Sequence, residues 1–226
     1  MTNPNYTHLT LLVDRSGSMG LIKDDAQGGI NTLISDQKNV EGKCTISFYE
    51  FDNEYNKVFG PVDIKEAPPY TLIPRGMTAL IDSAHRAIVE TGEFLSSLDA
   101  KDRPSKVLFV MVTDGGENSS HEVSREELKE LVQRQTDEYS WNFVYIGANV
   151  DAFTEASSIG VSNHMNYTTT GPSTQRIWTR MSDTIGHFRA AEGVAASTYL
   201  VDQTNVDVDK DGNIITRTDN SSSSSS

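Results

Sequence analysis

The sequence predicts an α/β fold whose mostly parallel sheet is covered by helices on both faces. Three observations carry this. Strand-like apolar runs alternate with helical stripes along most of the chain. Residues 106–113 (KVLFVMVT) form a nearly unbroken apolar run, the pattern of a central parallel strand buried on both sides. With 226 residues and 36% hydrophobic content, the chain carries enough apolar matter for one large core.

Taken in order, residues 8–14 (HLTLLVD) read as a short buried strand ending in a charge. Residues 21–37 place Ile22, Ala26, Ile30, Leu33 and Ile34 on one helical stripe. Residues 43–52 and 55–62 read as two strands, joined by a hairpin-like Asp52-Asn53-Glu54 connection. Pro68, Pro69, Pro74 and Gly76 mark an irregular loop that ends at Thr78. A helix follows over 80–98, with Leu80, Ala84, Ala87, Ile88 and Leu95 in its stripe. After the central strand, Ser124 and Glu127 form a capping box that opens the next helix. Residues 141–147 predict a strand, 151–159 a short helix and 163–167 a short edge strand. Pro172 stands at the start of a last amphipathic helix containing Ile177, Trp178, Met181, Ile185 and Phe188. Beyond about residue 195 the chain turns polar and ends in six serines, 221–226, which cannot form a core and are expected to be flexible. Within this part, Asp207-Val208-Asp209-Lys210-Asp211-Gly212 resembles the start of a calcium loop, but its twelfth position is Thr218 rather than an acid. A β-hairpin turning at Asp211-Gly212 is the simpler expectation.

Composition narrows the function. The formal net charge is −13 and the isoelectric point is about 4.7, so nucleic acid and anionic membranes are poor bulk partners. The single cysteine, Cys44, excludes an internal disulfide and a thiolate-rich zinc site, and its strand context suits a small core residue. Residues 1–6 show no signal-peptide pattern, and no stretch approaches 18 apolar residues. The expectation is a cytoplasmic protein.

Chemistry concentrates in three short segments. Asp14-Arg15-Ser16-Gly17-Ser18 follows the first strand, Gly76-Met77-Thr78 enters a helix, and Thr113-Asp114-Gly115-Gly116 follows the central strand. In sheets of this type, ligands sit at the carboxyl ends of strands near a topological switch point. Asp14, Ser16, Ser18, Thr78 and Asp114 offer two carboxylates and three hydroxyls. Such hard oxygen donors suit magnesium, manganese or calcium, not zinc or copper. Two carboxylates balance one divalent charge.

These segments resemble the metal-ion-dependent adhesion site (MIDAS) of von Willebrand factor A domains. The family pattern is Asp-x-Ser-x-Ser, then a threonine opening a helix, then an aspartate followed by glycine after the central strand. All five positions match. The resemblance spans residues 7–192, leaving 193–220 as a polar C-terminal extension with a possible hairpin. It implies a Rossmann-like three-layer α/β/α sandwich, with a sheet of about six strands, one short strand antiparallel, and one divalent cation at the upper edge. It also implies that the two serines coordinate directly, and that Thr78 and Asp114 do so directly or through water. The function implied is non-enzymatic: a protein-binding module whose cation accepts an Asp or Glu carboxylate from a partner, in an assembly or adaptor role. Alternatively, the chain is a subunit of an ATPase-driven chelatase or remodelling complex, beside an AAA+ partner.

Two enzyme readings compete. Ser18 sits in Ser16-Gly17-Ser18-Met19-Gly20, one residue short of a nucleophile elbow, with His164 or His187 as candidate bases, but Asp14 and Asp114 would then have no role. A phosphotransferase built on Asp14 would need an acid two residues on, where Ser16 stands. His8, His85 and His121 are scattered and suit structural or surface places. Arg15 is expected either to face solvent or to meet an acidic partner beside the metal. Glu117 and Asn118 are expected in a solvated loop or on the rim of the site.

Overall fold

The computed structural model describes residues 3–148, 151–169, 171–191 and 194–216. In chain order the elements are β1 (Asn3–Asp14), α1 (Lys23–Lys38), β2 (Lys43–Phe51), β3 (Tyr55–Asp63), α2 (Leu80–Ser97), β4 (Pro104–Thr113) and α3 (Arg125–Tyr139). These are followed by β5 (Asn142–Ala148), α4 (Ala152–Ser158), β6 (Asn163–Tyr167), α5 (Gly171–Ala190), α6 (Val194–Gln203), β7 (Val206–Val208) and β8 (Ile214–Thr216). A 3₁₀ turn, Gly17–Leu21, joins β1 to α1.

One eight-stranded sheet runs in the order β3-β2-β1-β4-β5-β6-β7-β8. All neighbours are parallel except the two outermost strands, β3 and β8, which pair antiparallel. The chain first winds outward from β1 through β2 to β3, then returns to lay β4 on the other side of β1. The topological switch point therefore lies between the carboxyl ends of β1 and β4. Register brings those ends level, because Val13 pairs with Val112.

Period-two alternation divides each central strand between two cores. Leu9, Leu11 and Val13 of β1 join Leu108, Val110 and Val112 of β4 in a core with α1, α5 and α6. Leu12, Phe109 and Met111 point the other way, into a core with α2, α3 and α4. The stripe residues named from sequence on α1, α2 and α5 are all buried, and each large one contributes about 1.5–3 kcal/mol relative to exposure. Gly29 lets α1 and α5 touch: a Cβ there would lie 2.2 Å from the Trp178 ring. Cys44 is buried, and burial pushes its thiol up to about 11, so it is an inert core residue. The capping box is formed, with Glu127 N donating to Ser124 Oγ at 3.2 Å and Ser124 N donating to Glu127 Oε2 at 2.8 Å.

The sheet has eight strands rather than six, two of them antiparallel, and β6 is not an edge. The difference lies in the segment expected to be a polar extension. Its α6 buries Ala196 and Leu200, and β7 pairs in parallel with β6, burying Val206 and Val208. Three-residue strands are too short to show the alternation that marks a strand in sequence. The expected hairpin is present as β7–β8. Asp209 shapes its turn by accepting from Asp211 N (2.9 Å) and Asn213 N (2.8 Å), and the Asn213 contacts hold its carboxyl below the usual range. Thr218 and the serines 221–226 lie outside the described residues. Among the described residues no helix is long and apolar enough to cross a membrane.

Candidate metal centre

Asp14 is the last residue of β1 and is fully buried. Thr113, level with it at the end of β4, donates its hydroxyl to Asp14 Oδ2 at 2.6 Å, and Ser16 N donates to Oδ1 at 2.6 Å. Burial pushes the Asp14 carboxyl up to about 6, while these hydrogen bonds pull it down and the nearby Asp114 adds to the rise. Burial also raises Asp114, opposed by the Ser18 hydroxyl.

The hydroxyls complete the cluster. Ser16 Oγ and Ser18 Oγ lie 3.0 Å apart, and Ser18 Oγ donates to Asp114 Oδ1 at 2.7 Å. A Cβ placed on Gly115 would stand 3.5 Å from Ser18 Oγ and 3.6 Å from Thr78 Oγ1. The Thr78 and Ser18 hydroxyls thus both lie against the Cβ side of Gly115. Asp14, Ser16 and Thr78 are buried, Asp114 is half-buried and Ser18 is exposed, so the cluster opens to solvent on the Ser18 side.

The loops are pinned by contacts between residues far apart in sequence. Gly17 N donates to Gly76 O at 3.1 Å, and Arg75 N to Arg15 O at 2.7 Å. Gly76 has φ +69°, and a Cβ there would strike Asn53 Oδ1 at 2.2 Å, so only glycine fits this bend. Asn118 clamps Thr78 twice: Thr78 N donates to Asn118 Oδ1 (2.9 Å), and Asn118 N donates to Thr78 O (3.0 Å). Glu117 accepts from Ile81 N at the start of α2 (2.8 Å) and from Ser119 N and Ser120 N (each 2.7 Å). Glu117 and Asn118 therefore position the threonine loop. Sequence reading gave them no such role, and it placed Thr113 in the third segment without its contact to Asp14, which only the level ends of β1 and β4 reveal.

Arg15 neither faces solvent nor reaches outward. Its guanidinium pairs with Glu50 at 2.8 Å and Asp52 at 3.1 Å on and beside β2, and Arg75 joins the same Asp52 at 2.7 Å. Glu50 also accepts from Tyr70 OH (3.0 Å) and Asn56 (2.9 Å). This network braces the first loop against the threonine loop.

The donor set fits a hard divalent cation. Among the described residues, no Lys, Arg or His forms an ion pair with Asp14 or Asp114. A buried carboxylate without a cation is costly, and a bound cation would remove that cost. Nor is there, among the described residues, a cluster of three His, Cys, Asp or Glu placed to hold a metal; two acids with hydroxyls are what this chain offers. The Ser18 hydroxyl meets Ser16 and Asp114, and neither candidate base is among its partners. His164 packs edge-on to Phe153, and His187 stacks on Tyr199.

The class defined by this geometry is a doubly wound α/β sandwich with polar loops gathered at its switch point. Its fold is that of a von Willebrand factor A domain. No family model and no curated protein sequence matches the chain. Solved structures do. Proximal thread matrix protein 1 from the mussel byssus, solved with a zinc-occupied MIDAS motif, aligns with TM-score 0.55 and 16% identity, over 82% of this chain and 46% of that one. The von Willebrand factor domain of the type V pili tip protein Mfa5 from Porphyromonas gingivalis aligns with TM-score 0.53 and 9% identity, over 82% and 96%. A von Willebrand factor type A protein from Catenulispora acidiphila aligns with TM-score 0.51 and 11% identity, over 81% and 42%. The chain spans a little under half the length of the mussel protein.

Proposed function

We propose that this chain is a non-enzymatic, metal-dependent protein-binding module. Asp14, Ser16 and Ser18 would hold one divalent cation, with Thr78 and Asp114 as direct or water-bridged ligands. Magnesium is the proposed ion, with manganese or calcium as substitutes, because all five donors are hard oxygen. The cation would supply Lewis acidity towards an Asp or Glu carboxylate of a partner protein, in an assembly or adaptor role. The observation that carries this is the convergence of two unpaired carboxylates and three hydroxyls at the switch point, open on the Ser18 side. The zinc-occupied MIDAS of the mussel protein supports a divalent cation at this place, without favouring magnesium. A cytoplasmic setting belongs to the same proposal, as does the absence of nucleic acid among its partners.

Calorimetric titration with magnesium and manganese tests the reading. Wild type should bind, and a cation at a hundred times its dissociation constant should add about 2.7 kcal/mol of stability. Asp14→Ala, which removes a full charge, should lose both effects. Thr78→Ala removes only a neutral oxygen and should keep much of the metal affinity while weakening partner capture, by about 2 kcal/mol if the carboxylate is the central contact. Affinity capture with magnesium against chelator then reads the partner. A partner retained undiminished in chelator would refute the mechanism, and a co-captured AAA+ ATPase would favour the remodelling-complex role.

A further inference from the structure

Three of the four most exposed large hydrophobic side chains among the described residues stand on the two loops that frame the metal centre: Leu21 at 91%, Ile73 at 64% and Met77 at 56%. A single exposed apolar residue is ordinary; a concentration of them at one place marks a contact surface. Leu21 lies three residues after Ser18, and Met77 immediately precedes Thr78. The same loops bury Met19 and Leu72 completely, so each already has its inward anchor and does not need these outward residues to fold. The loops also hold their apolar tips side by side. Beyond the backbone bonds between 15–17 and 75–76, a Cβ on Gly20 would lie 3.8 Å from Pro74 Cβ.

Charge on these loops is spent internally. Arg15 is tied to Glu50 and Asp52, and Arg75 to Asp52 and Glu54. Arg15 is largely buried in its pairs, and Arg75, half exposed, is already shared between two carboxylates. The attraction for a carboxylate must come from the cation, and the remaining contact area from apolar side chains. Apolar cover around a cation–carboxylate bond also excludes water, which strengthens the bond.

We propose that Leu21, Ile73 and Met77 form an apolar rim that selects partner segments in which the metal-seeking Asp or Glu is flanked by apolar side chains. This rests on the metal-dependent reading above and specifies the partner's chemistry. The occupant is a protein segment of the pattern apolar–acid–apolar, not an acidic run: a run of acids would bring charge against a chain of net charge −13 and would leave the rim uncovered.

The test uses the full chain and a random twelve-residue peptide library displayed on phage, selected in manganese and eluted with chelator. Chelator-eluted clones should share an Asp or Glu with apolar residues within two positions on either side. A synthetic peptide of that consensus should bind Leu21→Ser/Met77→Ser at least tenfold more weakly than wild type. Manganese affinity should be unchanged in that variant, and Val201→Ser, an exposed apolar site on α6, should bind the peptide as wild type does. Clones that keep the acid but show no apolar enrichment, or a peptide bound equally by the double variant, would overturn the rim and leave the metal reading standing. Clones without an acid, or peptide binding that survives chelator, would overturn both.

Discussion

The two ends of the sheet hold buried charge in opposite ways. At the carboxyl end, Asp14 and Asp114 are held by hydroxyls and a backbone amide, with no cationic side chain paired to them among the described residues. At the amino end the charges are positive. Arg189 of α5 donates to the carbonyls of Gln37 (2.6 Å), Val40 (3.0 Å) and Gly42 (3.3 Å), and Lys106 donates to the carbonyls of Arg189 and Ala191. Those carbonyls include the orphan acceptors that end α1 and need donors wherever they are buried. In the lower cluster each cation answers carbonyls that folding itself leaves open, although Arg189 Nε is buried with no hydrogen-bond partner among the described residues. The upper cluster is balanced in hydrogen bonds but not in charge. Buried charge of the first kind holds the fold together; the second kind costs stability until something from outside arrives.

At neutral pH the largest expected effect lies in the lower cluster. Arg189→Ala removes the charged donor shared by the buried Gln37 and the more exposed Val40 and Gly42 carbonyls, and should destabilise the chain by about 3 kcal/mol, read from urea unfolding. A loss below about 1 kcal/mol would mean that water replaces the guanidinium, and the contrast between the two ends would weaken.

A second expectation concerns β1 below the metal centre. His8 is fully buried, its Nδ1 is 2.8 Å from Thr45 Oγ1, and burial lowers its pKa to about 3, with Lys57 adding to the shift. The unfolded chain takes up a proton near pH 6.5 and the folded chain does not until about pH 3. This contribution is therefore complete above pH 6.5 and is lost as pH falls towards 3, at about 1.4 kcal/mol per pH unit. Asp14, with its raised pKa, acts in the opposite sense. The measurement is accordingly the stability difference between wild type and His8→Gln in chelator, which should turn against wild type on acidification. A pH-independent difference would show that His8 titrates alike in the folded and unfolded chains.

The smallest effect is the most discriminating. In chelator, Asp14→Asn removes a buried charge, keeps one oxygen to accept from Ser16 N, and turns an amide donor towards the Thr113 hydroxyl, which can rotate to accept it. Its stability should lie within about 1 kcal/mol of wild type, or above it. A large loss would place Asp14 with Arg189, as a structural group.

How much of this was legible in the sequence follows from distance along the chain. Asp14, Ser16 and Ser18 lie within five residues, and the strand before them is unmistakable, so their grouping was readable. Helical stripes and the Ser124–Glu127 cap were readable for the same reason. Arg15 was not, because its partners Glu50 and Asp52 reach it only through the pairing of β1 with β2. Asn118 meets Thr78 across 40 residues, and Arg189 meets Gln37 across 152. No local pattern encodes such clamps. The last two strands were readable as a hairpin, but its addition to the main sheet beside β6 was not, because three residues carry too little periodicity.

The antiparallel strands at both margins also decide in which direction this molecule can associate. A sheet grows by adding a strand to an open edge, and neither edge here offers a good template. On one side, β3 breaks register with β2 at Phe48 and contains Pro61, which has no N–H to give. On the other, β8 spans only three of the described residues, Ile214–Thr216. Lateral growth is thus discouraged at both margins, and the domain is not built to associate by extending its sheet.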